Sequence, residues 1–274
     1  MASWSLTGAL RRASTVSEVV SVLTMHDGVL NAIHVTAAAT RLAAFSPCRG
    51  RDELQKLRQF MTMLGGFLDS LDVRGVANVM WALGKLHKSY ADGGTGSAAL
   101  QADCLSVAMS LQPVCLRHLS HFSPQHISNI MWALATMLGG DAVGDDGDTG
   151  RGLGGPWHRS TLDLMLRAAR EGHQLSEFTP QGLSNLLWSC ARLGHPPEPE
   201  WLADFYEKTQ SALHAWPPQS ISQSLWALSK LDLPKPPLPW VTGLCLQTKT
   251  SLTSFDPQSM ANLTWALARM LPGD

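Results

Sequence analysis

The sequence predicts an all-α protein folded as an α-solenoid of about six helix-turn-helix repeats. A phrase centred on tryptophan recurs five times, and its last three tryptophans, Trp188, Trp226 and Trp265, are 38 and 39 residues apart. A fixed period of this length is typical of helical repeat arrays. No segment of useful length shows the alternation of apolar and polar residues that a β-strand requires.

The five copies of the phrase differ in spacing only near the start of the array. They occupy 71–86, 122–137, 178–193, 216–231 and 255–270, with Trp81 and Trp132 as the first two central tryptophans. The first two intervals are 51 and 56 residues long, and each contains a Gly-rich stretch. We therefore predict flexible insertions at 90–99 and 139–156 that leave the repeat intact.

The first fourteen residues precede the predicted repeat array. Arg11 and Arg12, several Ser and Thr, and no acid before Glu18 make residues 1–14 a weak organellar targeting signal. The alternatives are an ordinary solvated helix start or the start of a fragment. Residues 15–274 form the predicted array, which opens with a degenerate copy at 31–42 that has Ala37 in place of tryptophan. The second helices of the repeats are predicted near 31–43, 73–86, 124–138, 180–193, 218–231 and 257–270.

Each second helix has a recognisable start. In the second copy Ser123 can cap the helix, Pro124 suits its first position, and Phe122 can pack on Ile127 as a hydrophobic staple. The other caps are Asp72, Thr179 and Asp256, whereas Pro217 has no side chain that can cap. The other staples are Leu71 with Val76, Phe178 with Leu183, Trp216 with Ile221 and Phe255 with Met260.

A first helix precedes each of these second helices. Helical apolar spacing predicts first helices near 52–71, 159–172, 200–213 and 239–252, and Pro113 should kink or split another. Trp201 and Trp240 are 39 residues apart, so the first helix repeats as well.

A polar stripe recurs on the face of the second helix opposite its core side. On a helical wheel Gln125, Asn129 and Thr136 fall together, and the other copies carry an amide at the middle position and usually a cation further along. Amides can read base edges and cations can contact phosphates. The candidate RNA-binding residues are Arg74, Asn78, Lys85, Gln125, Asn129, Gln181, Asn185, Arg192, Gln219, Gln223, Lys230, Gln258, Asn262 and Arg269. The alternatives are amides that bond neighbouring backbone, solvated cations, and a central tryptophan that wedges between repeats instead of stacking on a base.

Composition excludes several classes of function. The net charge of −1 argues against a strongly basic, non-specific nucleic-acid binder, and five scattered Cys without C-x-x-C form no disulfide or zinc framework. No apolar run reaches the roughly 18 residues that a membrane span needs. The sequence has no catalytic motif, and neither the cluster His118, His121 and His126, expected to be solvated, nor the acidic run 145–150 has metal-ligand spacing. We therefore expect no catalysis, no metal, no cofactor and no membrane contact.

The repeated phrase resembles the octotricopeptide repeat, as PQHISNIMWALAT, PQGLSNLLWSCAR, PQSISQSLWALSK and PQSMANLTWALAR show. The resemblance implies an organellar protein, chloroplast or else mitochondrial, that binds single-stranded RNA and acts in its processing, stability or translation, together with other proteins of a ribonucleoprotein complex. Val73 and Arg74, Gln223, and Thr136 depart from the pattern. The alternative function is an armadillo-like protein-interaction scaffold, in which an amide ladder binds an extended peptide. No capping repeat and no RAP domain follow the last copy, which favours the interpretation that the chain is a fragment of a longer protein without deciding it.

Overall fold

The computed structural model describes residues 2–47, 50–91, 94–139, 157–173, 175–231 and 233–270. Within these ranges the protein is all-α, with fourteen α-helices and no strand. Contacts divide the chain into unit 1, Met1–Phe122, and unit 2, Ser123–Asp274. Unit 1 contains α1 Ala2–Arg12, α2 Val16–Met25, α3 Ala32–Leu42, α4 Arg51–Gly65, α5 Val73–Ser89, α6 Gly94–Ser110 and α7 Gln112–His118. Unit 2 contains α8 Pro124–Leu138, α9 Arg159–Arg167, α10 Pro180–Leu193, α11 Pro199–Gln210, α12 Pro218–Lys230, α13 Leu238–Ser251 and α14 Pro257–Met270.

Second helices pack on one another in chain order inside each unit, as a helical repeat requires. In unit 2, α8 packs on α10, α10 on α12, and α12 on α14, while the first helices α11 and α13 form a neighbouring row. In unit 1, α3 packs on α5, and α2, α4 and α6 form the row of first helices. The predicted repeat architecture is therefore confirmed within each unit.

The segment predicted as a targeting signal or fragment start takes the place of a second helix. Ala2–Arg12 forms α1, which packs on α3, and its Leu6 and Leu10 are buried. Because α1 contacts α3 as α3 contacts α5, the row of second helices in unit 1 begins before residue 15.

One detail of the predicted repeat register, the placing of Ala37 at the position of the tryptophan, is wrong. Asn31 caps α3 by accepting hydrogen bonds from the backbone N–H groups of Ile33 and His34. Counted from this cap, Thr40 holds the position of the tryptophan, and Ala37 holds that of Asn78 in the next repeat.

The predicted insertion at 90–99 is also too long. Tyr90 ends α5, but α6 begins at Gly94, so residues 94–99 belong to a helix that packs on α4 and α5. Helix packing has overridden the low helix propensity of the glycines there. The insertion at 139–156 lies outside the described residues, apart from Gly139.

The helix starts and the break at Pro113 follow the predicted chemistry. Thr179 accepts from the N–H of Gly182, Asp72 from that of Gly75, and Ser123 forms a capping box with His126, while Pro217 makes no side-chain cap. Helix α6 ends at Ser110, and α7 starts with Pro113 in its first turn. Where a side chain caps the helix, the predicted cap residue therefore marks the start of the second helix.

Small residues bring neighbouring second helices close together. A Cβ atom on Gly182 would lie 3.0 Å from the Ser128 hydroxyl oxygen, and one on Gly75 would lie 3.3 Å from that of Thr36. The Ser128 hydroxyl also donates to the Gly182 carbonyl oxygen, at 3.2 Å, and to that of Pro124. Both contacts join the third residue after one cap to the fifth residue after the preceding cap, so the repeat has a recurring packing register.

An aromatic cluster forms the core between α11 and α13. Trp201 and Trp240, predicted as equivalent positions of two first helices, are both buried and lie 5.7 and 5.9 Å from Phe205, measured between ring centroids. The Trp240 indole N–H donates to the Thr209 hydroxyl at 2.9 Å. The cluster fixes the row of first helices behind the second helices.

One helical stretch, Gly96–His121, is long and apolar enough to cross a membrane by length and composition alone, with a mean hydropathy of 1.2. The prediction that no run reaches this length is therefore wrong by this measure. The criterion is also met by core helices, and Leu100, Cys104, Ala108 and Leu111 of this stretch are fully buried in unit 1.

Candidate nucleic-acid interface

The second helices of unit 2 all carry polar side chains at the same two positions, one exposed and one half-buried. We call the eight amides of α8, α10, α12 and α14 the amide stripe. Its members at the second position after the cap are exposed, and those at the sixth position are half-buried. The exposed members are Gln125, Gln181, Gln219 and Gln258, and the half-buried members are Asn129, Asn185, Gln223 and Asn262.

Two of the half-buried members, Asn129 and Asn185, line the seam between α8 and α10. Between α8 and α10 this seam opens into a groove of about 550 Å³. All four predicted amides of these two helices line it, together with Ser128, Thr179, Gly182 and Glu177. Amides offer both donors and acceptors, so the walls of this groove can hydrogen-bond to a flat polar group such as a base edge.

The amides are not equivalent in their hydrogen bonds. Between α10 and α12, the Gln223 side-chain N–H donates to the Asn185 side-chain oxygen at 3.1 Å. On α14, Gln258 donates to Asn262 at 3.0 Å within one helix. The first bond joins two repeats 38 residues apart in sequence, so the stripe is physically continuous across that step.

The predicted cations of unit 2 lie against tryptophan rings. The Arg192 guanidinium lies 5.7 Å from the Trp188 ring centroid and donates to the Gly139 carbonyl oxygen at 2.6 Å. The Lys230 ammonium nitrogen lies 5.8 Å from the Trp265 ring centroid, and the Arg269 guanidinium carbon lies 5.2 Å from it. Burial, and then repulsion from Arg269, lower the pKa of Lys230 from its ordinary value. Positive charge is therefore concentrated where α12 meets α14.

The central tryptophans occupy an intermediate environment. Those of α5, α8, α10 and α12 are half-buried, and Trp265 of α14 is 39 % exposed. Trp226 and Trp265 lie 6.4 Å apart across neighbouring repeats, so these two indoles fill an inter-repeat contact. The wedge interpretation describes this pair, while a face or edge of Trp265 still reaches solvent.

The predicted residues of unit 1 fall in two places. Arg74 and Asn78 line a groove of about 760 Å³ beside α1 and α3, whereas Lys85 is half-buried and is not among the lining residues. The groove also contains Arg11, which composition alone assigned to a targeting signal, and Arg41. Arg11 lies in the last turn of α1, as the predicted cations Arg192, Lys230 and Arg269 lie in the last turns of their helices. This shared position is the sequence signal that identifies Arg11 as a candidate.

Two of the three clustered histidines, His118 and His126, have local structural roles. His118 bonds through Nε2 to the Leu71 carbonyl oxygen at 3.2 Å, His126 completes the Ser123 capping box, and His121 is exposed. The prediction that all three are solvated is therefore wrong for His118 and His126. Among the described residues, no group of three or more His, Cys, Asp or Glu could hold a metal ion.

A comparison with protein families matches residues 119–271 to the model described as Tbc2 translation factor, N-terminal domain. This segment is more than half of the chain. The chain belongs to the Tbc2 N-terminal domain family. No match is found among curated proteins.

The Tbc2 N-terminal domain match coincides with the repeats of unit 2. It includes α8 to α14, and with them the whole amide stripe, the groove between α8 and α10, and the cations around Trp265. Arg74, Asn78 and Lys85 lie outside the matched segment.

Proposed function

We propose that this chain is an octotricopeptide-type repeat protein that binds single-stranded RNA along the amide stripe. It acts without catalysis in the translation, processing or stability of an organellar messenger RNA, in the chloroplast or alternatively the mitochondrion. The translation-factor name of the matched family and the octotricopeptide resemblance of the repeated phrase support this role.

The observation that carries the proposal is that amides recur at two fixed positions in every repeat of unit 2 and that four of them line the groove between α8 and α10. Each repeat of unit 2 contributes an exposed and a half-buried amide, and neighbouring repeats together line the opening between α8 and α10. Sequence-specific RNA proteins bind unstacked bases through their polar edges, and repeat arrays distribute such contacts along the strand. Arg192, Lys230 and Arg269 each follow the half-buried amide of the same helix by seven residues, about two helical turns, and would supply the phosphate contacts.

The test is binding of a fluorescein-labelled pool of random single-stranded RNA to the full chain, measured by anisotropy over a range of salt. The variant Arg192→Gln, Lys230→Gln, Arg269→Gln should bind more weakly. The slope of log affinity against log salt should become less negative by about 2 in this variant, because each of the three lost phosphate contacts contributes roughly −0.7 to it.

The matched control removes three charges from the first helices: Arg159→Gln, Lys208→Gln and Lys249→Gln, all exposed. It should bind nearly as the wild-type chain does. Equal loss in both triple variants would mean that only net charge matters. Absence of wild-type binding at low salt, with an extended peptide bound instead, would replace the proposal by the armadillo-like scaffold.

A further inference from the structure

The indole of Trp265 is flanked by two cations at the meeting of α12 and α14. Trp265 is 39 % exposed, the Lys230 ammonium lies 5.8 Å from its ring centroid, and the Arg269 guanidinium carbon lies 5.2 Å from it. We call these three residues the tryptophan–cation cluster. Its members come from two repeats, since Lys230 ends α12 and the other two lie on α14.

The two cations of the cluster have no acidic partner among the described residues. Neither Lys230 nor Arg269 forms an ion pair there, and the two repel each other enough to lower the pKa of Lys230, after the larger effect of burial. An anion placed beside them would relieve this repulsion. The cluster therefore has the electrostatics of an anion site next to an exposed aromatic ring.

The other repeats of unit 2 do not offer this combination. Trp132 holds the same position in α8, but Thr136 stands where α14 has Arg269. In α10, Arg192 lies over Trp188 and already donates to the Gly139 carbonyl oxygen. Two cations and one exposed indole meet only at the α12–α14 step among the described helices of unit 2.

The contacts between cations and ring are exchangeable. At an exposed site the attraction of a cation to an aromatic face is weak, whereas a charge-assisted hydrogen bond to a phosphate oxygen is stronger. A phosphate can therefore draw Lys230 and Arg269 away from Trp265. This movement would free ring surface on which a base can stack.

We propose that the tryptophan–cation cluster is a nucleotide clamp for single-stranded RNA: Trp265 stacks on one base, and Lys230 and Arg269 bind an adjacent phosphate. The inference rests on the proposed function and names the place where one nucleotide is held regardless of its base. It assigns to the central tryptophan of α14 a role separate from base reading by the amide stripe.

The clamp is tested with Trp265→Leu, which keeps an apolar side chain and removes the aromatic face. With the same random RNA pool, Trp265→Leu should weaken binding roughly tenfold, and Trp265→Phe should retain most of the affinity. The matched control is Trp132→Leu, at the same repeat position without a cation over the ring, which should change affinity less than about twofold. Thermal unfolding of each variant shows whether the fold is intact, and photocrosslinking of wild-type protein to 4-thiouridine RNA should label the peptide containing Trp265.

The outcomes separate the clamp from the general proposal. If wild-type protein binds the pool and Trp265→Leu binds as Trp132→Leu does, the clamp is overturned and RNA binding stands. If wild-type protein binds no RNA, both are overturned. If a polyglutamate peptide displaces the RNA and its own binding is lost in Trp265→Leu, the cluster is an acidic-peptide site and the clamp is again overturned.

Discussion

Gly182 is the position where a single added side chain should most clearly disturb the packing of second helices. We consider Gly182→Val. A Cβ atom there would lie 3.0 Å from the Ser128 hydroxyl oxygen and 3.4 Å from atoms of Phe178 and Thr179, before the two valine methyl groups are added. All four residues belong to the seam between α8 and α10.

The expected loss of stability follows from how tightly Ser128 is held. Ser128 is 3 % exposed, and its hydroxyl donates to the carbonyl oxygens of Pro124 and Gly182, at 2.9 and 3.2 Å. It can yield to valine only by giving up hydrogen bonds worth about 1 kcal/mol or by moving the helices apart. Overpacking typically costs about 1–3 kcal/mol. Because the added methyl groups come on top of a contact that is already close, we expect Gly182→Val to fall in the upper part of this range and to lower the free energy of unfolding by about 2–3 kcal/mol.

The assay is thermal and urea unfolding of the full chain followed by circular dichroism. For a folding unit of roughly 150 residues, this loss should lower the melting temperature of that transition by about 4–12 °C. The control Gly65→Ala, at an exposed helix end with nothing within 4 Å of the added carbon, should be neutral or stabilise by up to about 1 kcal/mol.

A double variant tests the stated cause. Ser128→Ala removes the oxygen that the new side chain meets, so Ser128→Ala, Gly182→Val should be more stable than the sum of the single effects by at least about 0.5 kcal/mol. Wild-type stability of Gly182→Val, or strict additivity in the double variant, would refute the packing argument.

Two further predictions concern titratable groups. Burial raises the pKa of the Cys190 thiol to about 12, whereas Cys245 is exposed. In a variant with Cys48 replaced by Ser, Ellman's reagent should therefore modify Cys245 quickly and Cys190 only on unfolding. Equal rates of modification would contradict the buried placement of Cys190. Hydrogen bonds from the backbone N–H and hydroxyl of Ser259 lower the pKa of Asp256 below its ordinary 3.8, so its carboxylate stabilises the fold above pH 3.8, and this contribution is lost as the pH falls through the folded-state pKa. Asp256→Asn, which can cap without titrating, should make the melting temperature less dependent on pH below about 4, and an unchanged pH profile would count against the cap.

The starts of the second helices could be predicted because their causes are local. Thr179 followed by Pro180 identifies the first turn of α10 without reference to any other part of the chain. Local patterns are less informative in the first forty residues, where the repeated phrase is degenerate. Apolar rhythm places the degenerate copy three residues away from the register that its cap Asn31 sets, and the basic composition of α1 does not reveal its buried leucines.

The arrangement of the polar face could be predicted only as a set of positions. Spacing alone identifies Asn185 and Gln223 as equivalent residues, but their mutual hydrogen bond depends on how closely α10 and α12 approach. The same holds for Arg192, whose partner Gly139 lies at the end of another helix. Exposure also depends on neighbours, which is why tryptophans of one repeated position differ between α12 and α14.

The hydrogen bond between Gln223 and Asn185 has a consequence for how a ligand would be received. Each amide has fewer accessible rotamers once the bond forms, so ordering them on association costs less than the roughly 0.5–1.5 kcal/mol typical of a freely rotating side chain. The bond also fixes orientation: the donating nitrogen of Gln223 faces Asn185, and the Asn185 oxygen faces Gln223. The α10–α12 step is thus preorganised, with its remaining donors and acceptors in a set order before any ligand arrives.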